Sequence, residues 1–202
     1  MKKDLLIFQL DYGDATTNYL NAIKRTGLTI DVIDTPYVNM KDVKREYKAA
    51  MVLKPEGNSK QLINHYEMLV GMLGDFNIEP NGIQYPVINA ILEEVESIEH
   101  NRTVLIIGRS EELGLPLANE LIRRDHIVTV VNSKNNDHPV RYDVVINTAP
   151  IKSLSTYKED IYQPSATLID VAGTIKVTDT SNITDKIGRK TTRHLVDMVM
   201  KR

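Results

Sequence analysis

Residues 103–134 read TVLIIGRSEELGLPLANELIRRDHIVTVVNSK, and the order of patterns in this stretch decides the fold class. A short apolar run at 104–107 ends in Gly108, and a segment follows in which Leu113, Leu117 and Leu121 recur at helical spacing. A β-branched run at 127–131 then stops at polar residues. Strand, glycine turn, helix and strand in this order are typical of a parallel βαβ unit, so we predict an α/β protein with a parallel sheet.

The turn between the first strand and the helix is a candidate phosphate site. The amino end of a helix presents unpaired backbone N–H groups and the positive end of the helix dipole, which favour a phosphate. Gly108 and Gly114 do not follow the common G-x-G-x-x-G pattern, and glycines serve so many turns that this pair alone would be a weak signal. The flanking strand and helix favour a dinucleotide site. The alternative is a tight strand-to-helix turn that binds no ligand.

The end of the second strand bears on the choice of cofactor. NAD-selective folds usually carry an Asp or Glu roughly 20 residues after the glycines, where it accepts hydrogen bonds from the ribose hydroxyls. This chain has Asn132, Ser133 and Lys134 there, and it has Arg109 in the first turn. A cation and a hydroxyl suit a 2′-phosphate, so we expect NADP rather than NAD. The alternative is that Lys134 and Asn135 simply solvate a loop.

The second half of the chain resembles a known family. The segment IIGRSEELGLPLANEL resembles the cofactor loop of the bifunctional methylenetetrahydrofolate dehydrogenase/cyclohydrolases, which reads GRSxxVGxPxxxxL. Downstream and in order, IVTVVNSKN, YDVVI, LIDV and IGRKT resemble that family's TVTxxHSxT, ADILV, VVIDVG and VGPMT segments. The resemblance implies a Rossmann-like lobe that binds NADP. The cofactor-binding residues that it implies are Gly108, Arg109, Ser110, Gly114, Pro116, Ser133, Lys134 and Thr191.

The resemblance is fainter in the first half, which corresponds to the folate side of the family. Tyr19 falls where the family has the tyrosine of YxxxK, on which the pterin stacks. The lysine of that motif would fall at Ile23, and Lys24 comes one residue late, which is about 100° around a helix. Leu53 and Ile63 stand where the family has a glutamine and the second aspartate of KDVDGF. Because apolar side chains cannot titrate, we predict that the cyclohydrolase step is lost, with Tyr19 and Lys24 as the remaining catalytic candidates.

The patterns predict two lobes and a returning helix. An N-terminal α/β lobe is expected over residues 1–97 and a Rossmann-like, parallel-sheet nucleotide-binding lobe over 98–180. The elements predicted outside the nucleotide lobe are strands at 5–10, 30–33 and 50–53 and helices at 16–25, 40–47, 86–96 and 190–201. The resemblance implies that the last helix, within the segment 181–202, packs back on the first lobe.

Composition argues against several classes of protein. The 202 residues are 42% hydrophobic and 26% charged, as in ordinary globular proteins, and the formal net charge of −2 gives no support to nucleic-acid binding. There is no cysteine, and the five histidines lack metal-ligand spacing, so we expect no metal site. The first apolar run is too short for a signal peptide, and no run reaches membrane-spanning length. We therefore expect a cytoplasmic protein with no membrane partner.

Two functions from different classes follow. In the first, the chain is an NADP-dependent enzyme related to methylenetetrahydrofolate dehydrogenase, which acts on a folate-like substrate without the cyclohydrolase step. Hydride transfer can survive this loss, because the cofactor carries the chemistry and the protein positions the rings. In the second, the chain is a non-catalytic dinucleotide-binding sensor or partner subunit, which the apolar replacements favour. The resemblance implies a homodimer, because the family pairs through its nucleotide lobe.

Overall fold

The computed structural model describes residues 2–98, 102–132, 141–149, 162–171, 181–182 and 184–202. The helices are α1 (Asp14–Lys24), α2 (Met40–Glu46), α3 (Lys60–Leu73), α4 (Tyr85–Glu96), α5 (Gly114–Arg123) and α6 (Thr184–Met200). The strands are β1 (Lys3–Gln9), β2 (Ile30–Ile33), β3 (Tyr47–Leu53), β4 (Thr103–Ile107), β5 (Ile127–Val131), β6 (Tyr142–Asn147), β7 (Tyr162–Asp170) and β8 (Ser181–Asn182). None of the described helices is long and apolar enough to cross a membrane.

The chain forms two compact units, and both confirm the predicted α/β class. The first unit comprises residues 1–86 with 192–202, and the second comprises residues 87–191. Each unit contains one sheet, and all recorded strand pairs are parallel. The lobe limits at 97 and 180 stay a prediction.

The first unit is built on a three-stranded sheet with the order β2-β1-β3. Successive side chains of a strand point to opposite faces, so β1 contributes to two separate cores. Leu5 and Ile7 pack with residues of α1, and Leu6 and Phe8 pack with residues of α2 and α3. The first of these cores also contains Leu195 and Val199 of α6. The predicted return of the C-terminal helix to the first unit is therefore confirmed.

A short segment extends the first sheet beyond β3. Two 3-10 turns, Gly74–Phe76 and Pro80–Gly82, flank residues 77–79. The N–H of Ile78 donates to the carbonyl oxygen of Ala50 at 2.9 Å, and Asn77 forms a parallel bridge with Ala50. Residues 77–79 therefore run beside the last residues of β3, toward the carboxyl edge of the sheet.

The second unit contains a five-stranded sheet with the order β5-β4-β6-β7-β8. The predicted βαβ unit is present as β4, α5 and β5, and the next strand, β6, lies on the other side of β4. Strand order therefore reverses at β4. Such a reversal makes a topological switch point at the carboxyl ends of the two central strands, where open α/β sheets bind their ligands.

Helix α6 begins at Thr184, six residues before the predicted start of the last helix. The two helical residues Lys186 and Lys190 lie one turn apart and both contact Glu94 of α4, Lys186 at 2.8 Å. Although burial raises the pKa of Glu94, these two ammonium groups hold it below its ordinary value. The early start depends on partners that are distant in sequence, which explains why local periodicity did not predict it.

Candidate functional site

The loop between β4 and α5 passes very close to its neighbours at both glycines. Gly108 has a φ of +115°, a conformation that favours glycine, and a Cβ added there would collide with Oγ1 of Thr148. A Cβ at Gly114 would collide with the carbonyl oxygen of Gly108 and lie 3.2 Å from Cα of Arg109. Neither glycine can therefore gain a side chain without movement of its neighbours. A close-packed turn of this kind at a switch point fits a pyrophosphate cradle, where the backbone must approach the ligand.

Ser110 binds the N–H groups at the amino end of α5. Its Oγ accepts from the N–H of Leu113 at 3.2 Å and of Gly114 at 3.4 Å, and its carbonyl oxygen accepts from the N–H of Leu115 at 3.0 Å. Pro116, predicted as a cofactor residue, has no N–H to offer. These first-turn groups, expected from the sequence to be unpaired, are already bonded within the chain. A phosphate at this turn would instead meet the loop residues before the helix.

Arg109 is the exposed cation of this loop. Its guanidinium makes no ion pair with any residue that the structure describes. A guanidinium without a carboxylate partner is available for charge-assisted hydrogen bonds to a phosphate. Ser133 and Lys134, the other predicted phosphate ligands, lie outside the described residues.

Buried polar side chains end β6 and β7, and they were not predicted from the sequence. Nδ2 of Asn147 donates to Oδ1 of Asp170 at 2.8 Å, and both residues are buried. Oδ1 of Asn147 accepts from the N–H of Ala149 at 3.2 Å, and Oγ1 of Thr148 donates to the carbonyl oxygen of Ile107 at 3.1 Å. These bonds fix the turn after β6 against the end of β4. The available signal was a polar residue that closes each apolar run, VVIN and LID.

Thr191 lies in the interior of α6. It is buried, and its hydroxyl donates to the carbonyl oxygen of Ile187, one turn earlier, at 2.9 Å. Such a bond satisfies a threonine hydroxyl within its own helix. A role for Thr191 in cofactor binding stays a prediction.

Tyr19 and Lys24, the two catalytic candidates, are not brought together. Tyr19 is half-buried on α1 and packs against the first core. Burial and the neighbouring Glu79 carboxyl raise the pKa of Tyr19 well above its ordinary value. Lys24 is exposed and is the last residue of α1, which is continuous from its start at Asp14. No bulge is present that would turn the Lys24 ammonium toward Tyr19.

The three apolar residues at polar family positions have different surroundings. Ile23 and Leu53 are buried in the core that contains Leu5 and Ile7. Ile63 lies on α3 and is 39% exposed. Ile23 and Leu53 therefore serve packing, and none of the three supplies a titratable group.

Glu79 is a buried acid of the first unit that was not predicted from the sequence. It is 5% exposed, and its Oε1 accepts from the hydroxyl of Tyr19 at 3.5 Å. Burial raises the pKa of Glu79 to about 8, against the smaller opposing effect of the Tyr19 hydrogen bond. The side chain of Asn77 fixes the backbone, because its Nδ2 donates to the carbonyl oxygen of Glu79 at 2.9 Å and its Oδ1 accepts from the N–H at 3.3 Å.

Two carboxylates tie together the loops that follow β1 and β3. Oε1 of Glu56 accepts from the N–H of Ala15 at 2.6 Å and of Thr16 at 3.1 Å, at the amino end of α1. Oδ2 of Asp11 accepts from the N–H of Glu56 at 2.6 Å and of Gly57 at 2.9 Å. Each loop therefore holds the other in place at the carboxyl edge of the first sheet.

Comparison with known families decides the relationship of the chain. Residues 84–199 match the family model described as tetrahydrofolate dehydrogenase/cyclohydrolase, NAD(P)-binding domain, and this match covers more than half of the chain. The chain belongs to this family. The family membership that the sequence resemblance implied is therefore confirmed, and the second unit carries the family's NAD(P)-binding domain.

Individual relatives are similar to parts of the chain in sequence. The bifunctional protein FolD of Methanospirillum hungatei is 29% identical over 126 residues, which are 61% of this chain and 43% of that protein. The chain spans less than half the length of the curated relatives that it matches first.

Solved structures share the fold over nearly the whole chain. The bifunctional 5,10-methylenetetrahydrofolate dehydrogenase/cyclohydrolase of Thermoplasma acidophilum gives a TM-score of 0.62 at 18% identity, covering 100% of this chain and 88% of that one. The Trypanosoma brucei N5,N10-methylenetetrahydrofolate dehydrogenase-cyclohydrolase, complexed with NADP cofactor and inhibitor, gives a TM-score of 0.61 at 16% identity. This match covers 97% of this chain and 84% of that one. At these identities the likeness establishes the fold.

Proposed function

We propose that this chain binds NADP and acts as an oxidoreductase of the methylenetetrahydrofolate dehydrogenase type in which the cyclohydrolase step is lost. The proposal depends chiefly on the β4–α5 loop, where Gly108 and Gly114 allow the chain to turn tightly at a switch point. The exposed Arg109, without an ion-pair partner among the described residues, supports a 2′-phosphate over a free ribose hydroxyl. Membership of a family defined by an NAD(P)-binding domain agrees with this assignment.

The residues of the first unit would bind and orient the substrate. Tyr19 offers a half-buried ring on which a planar heterocycle can stack, and the Glu79 carboxyl lies next to its hydroxyl. NADP supplies the hydride chemistry when it is bound. The chain then needs to position the two reactants and exclude water.

A second candidate is a non-catalytic sensor or partner subunit that binds the dinucleotide. The exposed position of Lys24 and the packing roles of Ile23 and Leu53 favour it, because they remove the expected proton-transfer groups. The two candidate functions are distinguished by incubating the protein with methylenetetrahydrofolate and NADP and measuring the absorbance of the NADPH that forms. Turnover that falls in Tyr19→Ala supports the enzyme, and NADP binding without turnover supports the sensor.

Arg109→Ala is expected to weaken NADP binding by about tenfold or more and to leave NAD binding unchanged. A charge-assisted hydrogen bond contributes roughly 1.5–3 kcal/mol, and only NADP carries the 2′-phosphate that would accept it. Calorimetry with both cofactors measures the difference. Arg123→Ala is the matched control, because Arg123 lies at the other end of α5 and pairs with Glu120. Equal affinity of the wild type for NADP and NAD would contradict the assignment.

Cyclohydrolase activity is expected to be near the uncatalysed background. Positioned acid–base catalysis typically contributes about 10²–10⁴ in rate, and Lys24 is exposed at the end of α1. Disappearance of methenyltetrahydrofolate should be equally slow with wild type and with Lys24→Ala. Rapid turnover that vanishes in Lys24→Ala would show that this lysine reaches the substrate.

A homodimer is expected, formed through the second unit. β5 is an edge strand of the described sheet, and its first residue, Ile127, is 64% exposed. An exposed strand edge with an apolar side chain favours pairing with another chain. Sedimentation at micromolar concentration should give twice the chain mass of 22.9 kDa, and Ile127→Lys should shift the protein toward the monomer. Wild type that sediments only at 22.9 kDa would count against the dimer.

A further inference from the structure

A buried polar pair ends two neighbouring strands of the second sheet. Asn147 is the last residue of β6 and Asp170 is the last residue of β7, and the two are register partners. Nδ2 of Asn147 donates to Oδ1 of Asp170 at 2.8 Å, and both residues are buried. The residues before Asn147 in β6 are the fully buried Val144, Val145 and Ile146. An amide therefore follows three apolar side chains in the interior of the second unit.

Core packing alone does not account for Asn147. Asparagine is depleted in β-strands, and burying an amide costs free energy unless it finds hydrogen bonds. Both ends of this amide are used, because Nδ2 bonds Asp170 and Oδ1 accepts from the N–H of Ala149 at 3.2 Å. An apolar side chain of similar size would fill the space and would leave the N–H of Ala149 without this bond. The asparagine thus specifies the path of the chain after β6.

The turn that Asn147 orients is packed against the first glycine of the β4–α5 loop. A Cβ added at Gly108 would collide with Oγ1 of Thr148 and lie 3.2 Å from both Cβ and the backbone N of Ala149. The N–H and the hydroxyl of Thr148 also donate to the carbonyl oxygen of Ile107, at 2.8 Å and 3.1 Å. Residues 148–149 therefore hold Gly108 in place, and Asn147 holds residues 148–149.

The position of Gly108 matters for an incoming phosphate. Ser110 already bonds N–H groups at the start of α5, so a phosphate at this turn meets the loop residues before the helix. Gly108 is the first of these residues, and it follows the strand at which strand order reverses. Binding groups have to be held within about 0.5 Å of the productive geometry, and buried hydrogen bonds behind them provide this precision.

We propose that Asn147 is a positioning residue of the NADP site, whose amide, joined to Asp170, holds the 148–149 turn against Gly108 and thereby keeps the β4–α5 loop in its binding position. This inference rests on the proposed function, because it takes the β4–α5 loop as the site of NADP. Asn147 is fully buried, so it acts through the turn. Loss of its two hydrogen bonds should lower the NADP affinity of a protein that remains folded.

Two substitutions at Asn147 test this role by calorimetry with NADP and the full chain at about pH 5. Asn147→Leu keeps the approximate volume and removes both hydrogen bonds, so it should bind NADP about tenfold more weakly or worse than wild type. Asn147→Asp should bind as wild type. Because two carboxyl groups this close share a proton, the new one can donate to Asp170 and accept from Ala149 as the amide does.

The control substitutions are made at Asn119, an exposed residue of α5 in the same unit. Asn119→Leu and Asn119→Asp should both bind NADP as wild type does. Urea unfolding gives the stability of every variant under the same conditions. A merely structural role for Asn147 would lower stability and leave the NADP affinity of the folded protein unchanged.

Thr148→Val tests the next contact on the same path. It keeps the shape of the side chain and removes the hydroxyl bond to Ile107, so NADP should bind about threefold to tenfold more weakly. Thr148→Ser retains the hydroxyl and should bind as wild type.

Wild-type NADP affinity in folded Asn147→Leu would overturn the role of Asn147 while the NADP site stands. If Asn147→Leu does not fold, wild-type affinity in Thr148→Val would overturn the same proposal. A wild type that binds no NADP would overturn the proposed function, and the role of Asn147 with it.

Discussion

Gly114→Ala is expected to weaken NADP binding strongly and to destabilise the protein. The added Cβ would collide with the carbonyl oxygen of Gly108 and lie 2.9 Å from its carbonyl carbon. Both contacts are with backbone, so the overlap can be relieved only by moving the loop or the start of α5. Overpacking of this kind costs about 1–3 kcal/mol, and a misplaced loop should weaken NADP by about a hundredfold. Calorimetry with NADP and thermal unfolding measure the two effects.

Gly71→Ala is the control for the general effect of replacing glycine by alanine. Gly71 lies within α3, and a Cβ added there meets no atom within 4 Å. Because alanine is the better helix former by about 1 kcal/mol, this variant should be slightly more stable than wild type and bind NADP normally. If Gly114→Ala also bound NADP normally, the loop would not be the cofactor site.

Glu79→Gln is expected to make the protein more stable at neutral and alkaline pH. The pKa of Glu79 is about 8 in the folded chain, against an ordinary value of 4.5. Between these values the native state keeps a proton that the unfolded state has lost, so the wild type loses stability as pH rises. One pKa unit corresponds to about 1.4 kcal/mol, so the loss amounts to a few kcal/mol once pH passes the folded value.

The Glu79→Gln variant lacks this titration. Its free energy of unfolding, from urea titrations, should match that of the wild type near pH 4 and exceed it increasingly up to about pH 8. Glu67→Gln, which changes an exposed acid, should follow the wild type at every pH. Parallel pH profiles for wild type and Glu79→Gln would mean that the carboxyl group is hydrated and titrates normally.

The fold was predictable where the pattern is local. The β4–α5–β5 unit follows from one apolar run, one glycine turn, one helical stripe and a second run, all within residues 103–131. The start of α6 was not predictable, because Lys186 and Lys190 contact Glu94 on a helix about ninety residues earlier. Local periodicity carries no information about such distant contacts.

In the candidate site, too, some residues could be predicted from local patterns and others depend on the three-dimensional structure. Gly108 and Gly114 could be identified from their position in a strand–turn–helix pattern, and the structure explains both by close contacts. Ser110 was predicted as a ligand residue, but its bonds to α5 depend on the three-dimensional path of the loop. Glu79 gave no signal, because it stands before Pro80 in a turn-rich segment, where an acid is ordinarily exposed. In the structure residues 77–79 pair beside β3, and Glu79 is buried.

The carboxylate of Glu56 gives the first unit a means of discriminating between neutral and anionic parts of a ligand. It occupies the amino end of α1, where unpaired N–H groups and the positive end of the helix dipole would otherwise favour a negatively charged group. A phosphate or carboxylate from outside would have to displace an anion that is tethered to the protein and therefore always at high local concentration. We expect the first unit to admit the neutral, flat part of a ligand and to leave its anionic tail in the solvent.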